Sequence, residues 1–122
     1  PGHRERLLLA TPKEVVMPNR PPVNVAELLM ERHLKDAKIA FVREHHYALP
    51  RKLRADFWIM GTDLLIEIQG GVYSKQAHGS ITGILADNER LNEATKHHYR
   101  MLRFTPDQVA DGTAIEFVKA LL

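Results

Sequence analysis

The chain has 122 residues, of which 44% are apolar and 26% charged, a composition that fits one compact globular domain and excludes a disordered or multidomain chain. No apolar run approaches the roughly 20 residues needed to span a bilayer, so membrane function is excluded. It contains no cysteine, so disulfides, thiolate zinc sites and thiol nucleophiles are excluded, and the formal charge of +2 is too mild to decide anything about partners. Any metal must then sit on oxygen or imidazole ligands, which favours hard divalent ions such as magnesium.

Residues 1–23 hold five of the seven prolines and no sustained periodicity, and read as an irregular lead-in with one short strand near Val15-Val16-Met17. The chain opens Pro1-Gly2-His3 rather than on methionine, which reads as a processing or cloning remnant of a longer protein. The domain proper is expected over 24–122. Asn24 with Glu27 has the form of a capping box, and Val25, Leu28, Leu29 and Leu34 follow at helical spacing, which predicts a helix over 25–37.

Residues 39–49 alternate with the period of a strand, closed by Pro50. Next, Leu53, Ala55, Phe57 and Ile59, and after Gly61-Thr62 the set Leu64, Ile66 and Ile68, form two further alternating runs, which predict a β-hairpin with one apolar face. A two-residue loop at Gly61-Thr62 sets Asp56 directly opposite Glu67, roughly 5 Å away on one face. Opposed carboxylates repel unless a proton or cation lies between them. A three-residue loop would instead send Glu67 to the other face.

Residues 72–83 form a polar, glycine-punctuated loop, Ile84 to about His98 a helix, and Tyr99 to Phe104 a strand. Thr105-Pro106 with Gln108 starts a short helical turn, and Thr113 with Glu116 caps a last helix to Leu122. The order helix, three strands, helix, strand, helix predicts an α/β or α+β domain with a mixed sheet. The pairs His45-His46 and His97-His98 are expected at the surface or on phosphates, since adjacent side chains point to different faces and cannot easily share a metal.

Asp56, followed by Glu67-Ile68-Gln69, resembles the Asp…(Asp/Glu)-x-Lys core of the restriction-endonuclease-like nuclease superfamily, with Gln69 where the lysine would stand. Glu27, Asp56, His78 and Asp87 are similar in order to the Glu, Asp, x, His, Asp pattern of the very-short-patch repair nucleases and some homing and phage endonucleases within it. The resemblance runs from about residue 24 to 121. It implies a mixed central sheet flanked by helices, dependence on Mg2+ with Mn2+ as a substitute, and hydrolysis of phosphodiester bonds in double-stranded DNA. It assigns Asp56 as the primary metal ligand and leaves the position of Glu67 variable, so that Glu67 or a nearby carbonyl is open to complete the coordination. His78 takes a proton from the attacking water where lysine is missing, and Asp87 and Glu27 orient it or a water.

Each role has a structural rival: Glu27 serves equally well as a capping glutamate, and Asp87 as a favourable charge at a helix start. Arg51, Lys52, Arg54, Lys75 and Arg90 border the acidic centre and are expected on the DNA backbone, with Arg90 pairing to Asp87 or Glu93 as its alternative. Trp58 and Tyr73 are candidates for a wedge between bases. The resemblance further implies a DNA-recognition domain upstream, a location in the cytoplasm of a bacterial or phage-infected cell near the nucleoid, and a homodimer or two sequential events for cutting both strands. Two other readings stand beside the endonuclease: a junction resolvase of the same superfamily, and a DNA-binding module that keeps the fold without activity, which the glutamine at 69 favours.

Overall fold

The computed structural model describes residues 21–70 and 81–122, and the strand expected near Val15 lies outside them. Helix α1 (Val23–Asp36) turns Ala26, Met30 and Leu34 inward at four-residue spacing. The expected capping box is not made, because Pro22 occupies the N-cap position and Asn24 is already the second helical residue. Glu27 is thereby freed from its own helix end and reaches an arginine across the fold. The helix stops at Lys38, which adopts a left-handed conformation (φ 59°), while the Ile39 amide donates back to the Leu34 carbonyl.

Three strands follow, β1 (Phe41–His46), β2 (Arg54–Ile59) and β3 (Leu64–Ile68), then α2 (Ile81–Lys96) and β4 (Arg100–Phe104). The sheet order is β1-β2-β3-β4. Neighbours β1–β2 and β2–β3 are antiparallel and β3–β4 parallel, so a mixed sheet is formed as the element order predicts. Two short helices close the chain, α3 (Pro106–Ala110) and α4 (Thr113–Leu121). Thr105 and Gln108 form the reciprocal capping box that their spacing predicts. Thr113 does not cap α4: it is the first helical residue, placed by left-handed Gly112, and its amide is satisfied by the Asp111 carboxylate at 2.9 Å.

Phe57 pairs with Ile66 and Trp58 with Leu65, which is the register expected for the hairpin. The turn itself is looser than the expected pair, closing from the Thr62 amide to the Ile59 carbonyl at 3.1 Å with Gly61 at φ 80°. An even number of connecting residues keeps the same register either way.

Helices α1, α3 and α4 cover one face of the sheet, over Phe57, Ile59, Leu64, Ile66 and Ile68. Helix α2 covers the other, where Tyr47, Ala48, Ala55, Leu65 and Ala94 form a second cluster. Ala55 was expected beside Phe57 on one apolar face, yet the two lie on opposite faces although only two residues apart. The same inversion occurs on β1, where Arg43 lies against Phe57 and His45 stacks on Trp58. Between them Glu44 has φ 54°, and this left-handed step turns the strand over.

One close approach locks α1 to the end of β3. A Cβ placed on Gly70 would meet the Cβ of Val23 at 2.6 Å, an atom fixed to the helix backbone. Gly70→Ala is expected to destabilise the domain by about 1–3 kcal/mol, measured as a lower urea midpoint with unchanged slope.

Candidate functional site

Three carboxylates converge where the strand alternation inverts. Glu27 comes from α1, Glu44 from β1 and Asp56 from β2, and a ligand oxygen of each lies within 4.8 Å of the others. Each has one oxygen engaged: Glu27 Oε1 accepts from Arg43 at 3.0 Å, and Asp56 Oδ2 accepts the Ile68 amide at 2.8 Å. Glu44 Oε2 pairs with Arg54 at 3.3 Å. The second oxygen of each accepts no hydrogen bond among the described residues.

Burial pushes the Asp56 carboxyl above its ordinary range, and the Glu44 charge adds to this against the opposing pull of the Ile68 amide, Arg43 and Arg90. Glu27 is raised as well, by burial first and then by the Asp56 charge, with Arg43 opposing. Two half-buried carboxylates and the exposed Glu44 held this close repel one another, a repulsion that a cation would relieve. An all-oxygen donor set fits a hard divalent ion.

The side chains of Asp56 and Glu67 part despite their register. Glu67 is bound by Arg90 of α2 and, at 3.4 Å, by Arg103 of β4, so on the α2 face two guanidinium groups stand where a shared cation was expected. Asp56 turns instead to the α1 face, because the inversion at Glu44 and Asp56 reverses the pleat there. Asp87 does not open its helix, as expected, but is its seventh residue. Its carboxylate lies 3.7 Å from Arg103 and does not join the cluster. His78, Lys75 and Tyr73 lie outside the described residues. Gln69, at the end of β3, donates its amide to the Phe104 carbonyl at 2.8 Å.

Of the basic residues, Arg54 borders the cluster through Glu44, Arg51 is held by Glu89 and approaches Glu93 at 3.7 Å, and Lys52 is exposed between them. Arg90 forms neither of the intrahelical pairs expected of it, since its guanidinium goes to Glu67 and the Arg54 carbonyl. His45 is not a surface group: it stacks on Trp58 with ring centroids 4.7 Å apart and lies 3.2 Å from the Tyr99 hydroxyl. Trp58 is held in the same stack, with its indole N–H on the Thr62 carbonyl at 2.9 Å, and is not presented as a wedge.

Sequence reasoning missed Glu44, Arg43 and Glu31. A signal was available for Glu44, because continuing the β1–β2 register sets it opposite Asp56.

No family model and no curated protein matches the sequence. Among solved structures the chain is similar to the catalytic domain of the homing endonuclease I-Bth0305I, at 19% identity and a TM-score of 0.59, over 77% of this chain and 89% of that one. The chain therefore shares the fold of that domain, a four-stranded mixed sheet flanked by helices.

Proposed function

We propose that this chain is the catalytic domain of a divalent-cation-dependent DNA endonuclease. The observation that carries the reading is the convergence of Glu27, Glu44 and Asp56 on a scaffold shared with a homing endonuclease catalytic domain. Asp56 on its strand, with Glu27 and Glu44 beside it, would hold Mg2+ or Mn2+. Such an ion supplies charge stabilisation on a phosphate oxygen and acidifies water.

The other roles belong to the chain. Asp56 is kept in place by the Ile68 amide, so its free oxygen has a fixed direction. His78 takes the proton of the attacking water, a role open to an imidazole near neutral pH, while Asp87 stays with Arg103 on the α2 face, outside the cation cluster. Water adds to phosphorus as the bond to the leaving oxygen breaks, leaving a phosphate on one strand end and a hydroxyl on the other. Arg51, Lys52, Arg54 and Lys75 hold the backbone phosphates. Arg90 and Glu67 belong to the packing of α2 on the sheet, and Gln69 supports the end of β3. One such centre cuts one strand, so a double-strand break requires a second copy or a second event.

Supercoiled plasmid incubated with the purified protein is expected to become nicked or linear in Mg2+ or Mn2+, and to stay intact with a chelator. Salt-sensitive binding without cleavage in either ion would favour the inactive DNA-binding module. A preference for four-way junctions over linear duplex would favour a resolvase.

A further inference from the structure

Glu27 and Glu31 lie one turn apart on α1, so their carboxylates share a face of the helix. Arg43 on β1 bridges the two, with Nη1 2.6 Å from Glu31 Oε1 and Nη2 3.0 Å from Glu27 Oε1. Two contacts locate the guanidinium independently of Glu27, and one of those partners is itself anchored. Besides the bond to Glu31, the guanidinium carbon lies 4.7 Å from the centroid of the Phe57 ring, a cation–π contact. Glu31 is itself held through its other oxygen by Lys35 Nζ at 2.9 Å. Both ends of the fork are committed, and Nε is left buried without a partner among the described residues.

We infer that Arg43 is a positioning residue: its fork, pinned on Glu31 and Phe57, holds the Glu27 carboxylate where it ligates a divalent cation together with Glu44 and Asp56. The inference rests on the cation-dependent reading above and adds a residue that no motif in the chain singles out. Arg43 takes only Oε1 of Glu27, which leaves Oε2 for a cation. A glutamate without such a partner must give up rotamer freedom at the moment of ligation, and fixing it beforehand removes that cost. Lysine at 43 would keep the charge but, as a single point donor, could not hold two carboxylates in a fixed relation.

A merely structural tie between α1 and β1 predicts lower stability and unchanged cation binding. Mn2+ titration followed by electron paramagnetic resonance on the wild type, Arg43→Met, Glu27→Gln and the double variant separates the two. Arg43→Met and Glu27→Gln are each expected to weaken Mn2+ binding by about 10–100-fold, as loss of a ligand's supporting partner does. The double variant is expected to bind no more weakly than Glu27→Gln alone, because both changes remove the same ligand. Tb3+ luminescence lifetimes are expected to show the same gain of about one coordinated water in both single variants. Arg43→Lys, which keeps the stem and charge if the methionine variant fails to fold, is expected to weaken binding likewise.

Additive losses, or wild-type affinity in Arg43→Met or Arg43→Lys beside a weakened Glu27→Gln, would overturn the positioning role and leave the cation centre standing. A wild-type chain that binds no Mn2+ would overturn the cation centre and the inference with it.

Discussion

Asp56→Asn is expected to lower plasmid cleavage by about a thousandfold, the rate equivalent of several kcal/mol of lost charge stabilisation, and at the same time to raise the stability of the cation-free fold at neutral pH. The two effects have one origin. The Asp56 carboxyl is raised by burial and by the Glu44 charge, so the folded chain holds that proton more tightly than the unfolded chain does. The stability this contributes is present at low pH and is lost as pH rises through the folded value, so above it the ionised group is a net penalty on folding. Asparagine keeps an oxygen to accept the Ile68 amide and carries no charge, so it removes the penalty. Urea unfolding of both proteins from about pH 3 to pH 8 checks this: the curves converge below the ordinary carboxylate range and separate above it, with the variant more stable. A variant that keeps wild-type cleavage would move the chemistry elsewhere. One that loses stability as well as activity at neutral pH would make Asp56 a packing residue.

How much of this arrangement was legible in the sequence depends on how local each determinant is. The Thr105–Gln108 capping box is settled within four residues, and it forms. The hairpin register was legible because a two- or four-residue connection centred on Gly61-Thr62 gives the same pairing. The facing of Asp56 against Glu67 was not, since it depends on a left-handed step at Glu44, a residue type that rarely adopts that conformation and that no period-two pattern marks. Asp87 was expected at a helix start because Gly83 reads as loop, whereas α2 runs through Gly83 from Ile81. Glu27 was picked out in two roles; Pro22 at the N-cap removes the capping one, and a charge-assisted bond goes instead to Arg43, sixteen residues away. That partner was visible only after β1 had been laid beside α1.

Glu67 offers the sharpest contrast with Asp56, because both carboxylates were read as ligands and the structure gives them opposite electrostatic settings. Glu67 is 12% exposed and Arg103 16% exposed, and Glu67 binds Arg103 and Arg90 together. Truncating it would leave two guanidinium groups under α2 with less than one compensating charge, since Asp87 remains 3.7 Å from Arg103 but is itself exposed. Removing one partner of a fully buried ion pair costs about 3–5 kcal/mol, and the lower end applies here because these groups are only partly buried and Asp87 and the Arg54 carbonyl still engage the arginines. Glu67→Ala is therefore expected to lower unfolding stability by about 3 kcal/mol, a large share of the roughly 5–15 kcal/mol that holds a domain of this size together. Its Mn2+ affinity, measured at a temperature where the variant is folded, is expected to match the wild type. The result that would overturn this is the converse, a fold of unchanged stability whose Mn2+ binding is lost, for then Glu67 would leave its arginines to complete the cation site from the other face of the sheet.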